Sequence, residues 1–246
     1  MPYYIQNLAE AEFVVATFMY MRLQGIPASR ISIITTYNGQ ADLLHDVVAQ
    51  RCAWSPIFGT PAKIATTDKF QGQQNDYILL SLVRTKAVGH LRDVRRLIVA
   101  MSRARLGLYV FGRRALFEPS PELRPTFAQL LSHPDKLALL PAERAPTRRS
   151  ADEVPSEGVL MVDGLTEMGE LVASLTERAE GERRERELAG FGAMQDAMQV
   201  DGPPAQGQGQ QQQGQQRASA AVPAPPPTGG LGGGPEAPPD MDDDDD

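Results

Sequence analysis

Arg103 lies in the stretch MSRAR, between a helical pattern and an apolar strand pattern. A guanidinium held there on rigid structure can reach across a cleft and neutralise charge on a transferred phosphoryl group, worth about 10³–10⁵ in rate. A second reading stays open, in which Arg103 or Arg105 pairs with a local carboxylate. Arg95 and Arg96, on the preceding helix, are read as packing or pairing there. Tyr37, in TTYNGQ, stands at a strand exit, where its ring can stack on a base or wall the core. Gln71 and Gly72 form a tight turn whose N–H groups can come close to a phosphate or ribose, although Gln-Gly is also an ordinary turn. Thr35, Thr66 and Arg84 have side chains suited to gripping a nucleic-acid backbone from strand ends, or to satisfying the strand ends themselves.

Other chemistries fit poorly. His45 lies on a helix, His90 and His133 are far apart in sequence from each other and from Cys52, and no metal-ligand spacing exists. We therefore expect no metal site and read Cys52 as a small packed residue. The chain also contains no Gly-x-x-x-x-Gly-Lys-Ser/Thr phosphate loop and no acidic strand end placed to hold magnesium.

The elements that must position these residues follow from periodicity. Asn7 is the expected N-cap of a helix over Leu8–Gln24, with the stripe Leu8, Ala11, Val15, Phe18 and Met19 and a stop at Gly25 and Pro27. ISIIT (31–35) reads as a strand buried on both faces, and Gly39–Cys52 as a second helix. Strands are predicted at Lys63–Thr67 and Tyr77–Val83, a helix at Arg92–Met101, and a buried strand at Leu106–Phe111. Helices alternating with apolar strands make a parallel sheet in a three-layer α/β fold. Such sheets bind ligands at the carboxyl ends of their strands, where Thr35–Gln40, Thr67–Gln74 and Arg84–Thr85 are expected.

After Phe117 prolines punctuate short apolar pieces, which suggests an extension wrapping the domain over 118–190. It holds one edge strand in Glu157–Val162 and an apolar stripe in Leu165–Leu175, read as a helix packing on the core or as a partner-binding helix. Residues 191–246, most of all from Asp201 on, are rich in Gly, Pro, Gln and Ala and end in five aspartates, so an unstructured acidic tail is expected.

Charge divides the same way. Residues 1–150 hold 19 basic and 11 acidic residues, and residues 151–246 hold five and 20. The basic half suits a phosphate-rich partner. One cysteine in 246 residues excludes an internal disulfide and fits a reducing compartment. No apolar run reaches the roughly 18 residues of a membrane helix, so no membrane partner is expected.

Taken together, ISIITTYNGQADLL (31–44), ATTDKFQGQQNDYILLSLVRT (65–85) and RRLIVAMSRARLGLYVFGR (95–113) resemble motifs IV, V and VI of the superfamily 1 helicases, the group of the nonsense-mediated-decay helicase. The likeness covers about 1–150, is most specific over 63–113, and points to a spliceosomal, intron-binding RNA helicase branch. It implies a second RecA-like domain over 1–117, with its first strand lying outside the chain. Arg103 would be the arginine finger. Tyr37, Gln40, Gln71, Gly72 and Gln74 would meet the nucleotide, and Thr35, Thr66 and Arg84 the RNA. The group's Gln-Gly-x-Glu reads Gln-Gly-Gln-Gln here, so Gln74 replaces an acidic residue. The implied cofactors are ATP and Mg2+, held mainly by a separate phosphate-loop half. The implied partners are single-stranded RNA, spliceosomal proteins and that missing half, in the nucleus, and the chain alone would not hydrolyse ATP. A non-enzymatic splicing module and a superfamily 1 DNA helicase are the alternatives.

Overall fold

The computed structural model describes residues 4–150, 153 and 157–200, with 191–200 as backbone only. Helix α1 (Leu8–Leu23) begins where the Asn7 side chain accepts the Glu10 N–H at 3.2 Å, satisfying one of the unpaired first-turn donors. Gly25, at φ +92°, turns the chain out of the helix. There follow β1 (Ile31–Thr35), α2 (Asn38–Cys52), β2 (Lys63–Thr66), β3 (Asn75–Ser81), α3 (Val94–Met101) and β4 (Ala104–Phe111). The extension adds α4 (Arg114–Phe117), α5 (Arg124–Leu130), β5 (Leu137–Leu139), β6 (Leu160–Val162) and α6 (Leu165–Val200).

The main sheet has the order β2-β1-β3-β4 with every pair parallel. Alternation along the strands sends successive side chains to opposite faces and so builds two cores. Ile31, Ile33 and Leu79 pack with α1, α2 and α6, whereas Ile34, Ile78 and Leu80 pack with Leu97 and Ala100 of α3 and Phe127 of α5. Helices on both faces of a parallel sheet make the expected three-layer, RecA-like α/β fold.

One strand differs from its sequence reading. β4 is not fully buried: Leu106 is 63% exposed, because β4 is the edge of the sheet and no described strand pairs with its outer side.

The extension joins the same body. Ala145 donates its N–H to the Gln24 carbonyl at 2.6 Å, and Met168, Val172 and Leu175 are buried in the core shared with α1 and β1. The Leu165–Leu175 stripe thus packs back on the domain. The expected edge strand shortens to Leu160–Val162 and pairs antiparallel with Leu137–Leu139 in a separate two-stranded sheet. Beyond the stripe α6 continues, with i,i+4 pairs Arg184–Glu180, Arg186–Glu182 and Arg183–Glu187 along its charged run. Of the tail expected over 191–246, the backbone of 191–200 continues α6, and residues 201–246 lie outside the described residues. Among the described residues no helix is long and apolar enough to cross a membrane.

Candidate nucleotide and nucleic-acid site

The carboxyl ends of β1, β2 and β3 lie side by side, since Thr35 is opposite both Thr66 and Ser81. Thr35 is fully buried, and its carbonyl accepts the N–H of Thr67 at 2.9 Å and the Thr67 hydroxyl at 3.2 Å. Among the described residues the Thr35 and Thr36 hydroxyls themselves have no hydrogen-bond partner. Two unspent polar groups at a strand exit are costly without a use.

Tyr37 is the N-cap residue of α2 but contributes no side-chain cap. The residue is only 8% exposed. The Arg84 guanidinium lies 6.0 Å from the ring centroid, and the His90 ring lies at 5.6 Å, tilted 42°. The Tyr37 hydroxyl accepts the His90 N–H at 3.4 Å. Gly89, at φ +65°, passes so close that a Cβ there would sit 2.4 Å from that hydroxyl.

Gln40 is fully buried. Its amide nitrogen donates to the Asn7 carbonyl at 3.1 Å and to the Ser81 hydroxyl at 3.3 Å, and its oxygen accepts the Asn7 N–H at 2.7 Å. This side chain is spent inside the domain, bracing α1 and β3 against α2.

A second group of residues sits elsewhere. Because β2 and β3 are parallel, the chain leaving Thr66 must run back along the sheet before β3 begins. Thr67–Gln74 therefore does not stay at the carboxyl edge as expected: Gln71–Gln74 reach the amino edge. There the Lys63 ammonium donates to the Gln73 side-chain oxygen at 2.9 Å, and Asn75 donates its N–H to the Arg103 carbonyl at 3.1 Å. Gln71, Gly72 and Gln74 are exposed, and Gly72, at φ +75°, has open space where a Cβ would be. Glycine is needed here for its backbone conformation and not for a close contact.

Arg103 is half-buried beside this turn. Its Nε donates to the Val99 carbonyl at 2.8 Å, one Nη donates to the Gln73 carbonyl at 3.4 Å, and the other donates to the Ser102 hydroxyl at 2.8 Å. All three acceptors are neutral. Arg105, in contrast, pairs with Asp76 at 2.8 Å, Arg95 with Asp93 at 2.9 Å, and Arg96 with Asp68 at 3.8 Å. The Asp76 carboxyl is held below its ordinary 3.8 first by its hydrogen bond from Arg30, then by Arg105.

The site residues thus form a carboxyl-edge group (Thr35, Tyr37, Thr66, Arg84) and an amino-edge group (Gln71, Gly72, Gln74, Arg103). The five residues of β1 separate the edges by about 13 Å.

A third feature has only a local signal in the sequence. Asn7 and Glu10 have the spacing of a capping box, in which the glutamate returns to the N-cap N–H. That N–H is already taken by Gln40. The Glu10 carboxylate crosses to β3 instead, accepting the Ser81 hydroxyl at 2.6 Å and the Val83 N–H at 2.8 Å. Burial raises its pKa above the ordinary 4.5, against the lowering effect of those hydrogen bonds. Among the described residues no cluster of His, Cys, Asp and Glu could hold a metal ion. A groove of about 1000 Å³ between α1, α2 and α6, lined by Met19, Trp54 and Val172, includes none of these site residues.

Comparison with known proteins agrees with this architecture. The AAA domain family matches residues 3–115. The mouse RNA helicase aquarius is 56% identical over 174 residues, covering 71% of this chain and 12% of that protein. The fission-yeast pre-mRNA-splicing factor cwf11 is 30% identical over 71% of the chain and 14% of its own length. The Arabidopsis regulator of nonsense transcripts 1 homolog is 34% identical over 46% of the chain and 9% of its own. The chain therefore spans only a small part of these relatives. The parallel sheet is thus of RecA-like fold, and residues 3–115 match the AAA domain family and are similar to the corresponding part of the RNA helicase aquarius.

Proposed function

We propose that this chain supplies one wall of an ATP cleft, and part of an RNA track, to an RNA helicase acting in pre-mRNA splicing in the nucleus. Arg103 carries the assignment: among the described residues it has no carboxylate partner, while Arg95, Arg96 and Arg105 each have one. The splicing and RNA helicase names of two relatives that match 71% of the chain support the substrate and the setting.

In this reading Arg103 neutralises charge on the transferred phosphoryl group. Gln71, Gly72 and Gln74 offer backbone and amide groups to the phosphates and ribose from the same edge. Gln74, a neutral amide, can bond a ribose hydroxyl without placing negative charge near the phosphates. Tyr37 offers its ring, beside Arg84 and His90, to the adenine at the other edge. Thr35, Thr66 and Arg84 hold the RNA backbone. Gln40 contributes by bracing the exit of β1. ATP and Mg2+ would be held mainly by a separate phosphate-loop domain, and ATP would supply the phosphoryl group that is cleaved. Closure of the two domains moves them along one strand, and hydrolysis releases the grip. Contacts to the backbone are blind to base sequence, so intron selectivity comes from elsewhere.

The test begins with the cellular protein, captured with an antibody to residues 201–246. Its mass is measured, as is its RNA-stimulated ATP hydrolysis with and without Arg103→Ala. A species far above 26.8 kDa whose activity needs Arg103 is expected. A species near that mass, assembling with splicing proteins equally well as Arg103→Ala, would favour a non-enzymatic module. Stimulation by single-stranded DNA in place of RNA would favour a DNA helicase, since phosphate contacts alone do not tell the two apart.

A further inference from the structure

We infer that Glu10, on α1 and outside all three motifs, is a positioning residue that holds Val83 in a strained turn and so lays Arg84 beside Tyr37. The placement is a fact of this domain. Its consequence for catalysis rests on the nucleotide and RNA roles proposed above for Tyr37 and Arg84.

Val83 has φ +71°, and among the described residues it is the only non-glycine with positive φ. A β-branched residue avoids this region strongly. The Arg84 N–H donates to the Leu82 carbonyl at 2.8 Å, closing a three-residue turn about Val83, the rare γ form with positive φ. Such a turn persists only where its surroundings impose it.

Here both peptide groups of Val83 are held from one helix end. Its N–H goes to the Glu10 carboxylate at 2.8 Å, and its carbonyl accepts the Asn7 side-chain amide at 3.2 Å. The Val83 side chain is 2% exposed, so the turn is also packed from within. Glu10 is fixed in turn by the Ser81 hydroxyl at 2.6 Å, and Ser81 accepts from Gln40 at 3.3 Å. The network thus joins the start of α1, the first turn of α2 and the end of β3.

The turn reverses the chain. Arg84 Nε then reaches the Ala87 carbonyl at 2.9 Å, and the guanidinium comes to rest 6.0 Å from the Tyr37 ring. A residue proposed for the RNA backbone and one proposed for the adenine thereby touch. Glu10 sets that contact without meeting either ligand.

The experiment is hydrogen–deuterium exchange on the full 246-residue chain, which needs neither nucleotide nor RNA. Glu10→Ala should speed exchange over residues 82–92 by about tenfold or more, leaving Ile31–Thr35 and Ala104–Phe111 as protected as before. Glu10→Gln keeps an acceptor oxygen for Ser81 and Val83 and should stay within about threefold of the unsubstituted chain. If Glu10→Ala loosens the whole sheet, Ser81→Ala takes over the test, with a rise confined to 82–92 expected. Unchanged exchange over 82–92 in the folded variant, or Glu10→Gln behaving as Glu10→Ala, would overturn the proposal. Failure of the ATP cleft reading would leave these exchange rates as predicted, so the two can be told apart.

Discussion

Arg103 meets Gln73 through a hydrogen bond of 3.4 Å from its guanidinium to the Gln73 carbonyl, joining the segment before β4 to the turn before β3. Arg105, two residues on, instead faces Asp76. Under the proposed ATP-cleft role, Arg103→Ala in the protein captured from cells should lower kcat by about 10³ or more with little change in KM. Arg105→Ala should leave turnover within a few fold. Steady-state ATPase assays decide it, and the opposite ranking of the two variants would transfer the finger role to Arg105.

Gly89 and Tyr37 predict a local clash. Gly89→Ala places a methyl 2.4 Å from the Tyr37 hydroxyl at φ +65°, so a loss of about 1–3 kcal/mol is expected in urea unfolding. Tyr37→Phe removes the obstructing oxygen. The double variant should recover part of the loss, and strict additivity would show that the hydroxyl is not the obstacle.

The packing of α6 can be tested at two residues of opposite exposure. Met168 is fully buried and Leu188 is 74% exposed. Met168→Ala should cost about 2–5 kcal/mol. Leu188→Ala should stay within about 0.5 kcal/mol. Equal effects at the two positions would mean that α6 does not share the core.

Cys52 is 2% exposed, and burial pushes its thiol up to about 12. The thiolate is the reactive form, so native labelling with a disulfide reagent at neutral pH should be slow and should become fast in denaturant. As the lone cysteine it reports opening of the core packed by α2. Rapid native labelling would contradict the packed state.

Glu10 carries a pH dependence of defined sign. Its folded pKa lies above the ordinary 4.5, so its contribution to stability is full below that value and is lost as pH rises through the folded pKa. The groups that face it are the Asn7 amide, the Ser81 hydroxyl and the N–H groups of Leu82 and Val83, all uncharged. Glu10→Gln should therefore gain on the parent chain between mild acid and neutral pH in urea melts. A constant difference across that range would count against the burial cost.

Much of this protein was legible before any coordinates. The N-cap at Asn7, the strand ISIIT and the helix start near Gly39 all emerge at or within a residue of their expected places, because capping chemistry and hydrophobic period act over a few neighbouring residues. The motif resemblance likewise pointed to the family that the comparisons support.

What the sequence by itself determined was therefore local: the elements, their amphipathic faces and the residues able to do chemistry. The tertiary structure alone decided that Gln71–Gln74 and Arg103 share the amino edge, apart from Tyr37 and Arg84. It also decided that, among the described residues, Arg105 has a carboxylate partner and Arg103 has none. The Glu10 carboxylate leaves its own helix cap for Val83, 73 positions away, and β4 is half open because it lies at the edge. Each of these depends on strand direction, sheet order or a contact between distant segments. A short-range pattern encodes none of them, because they are settled only when the whole chain closes on one core.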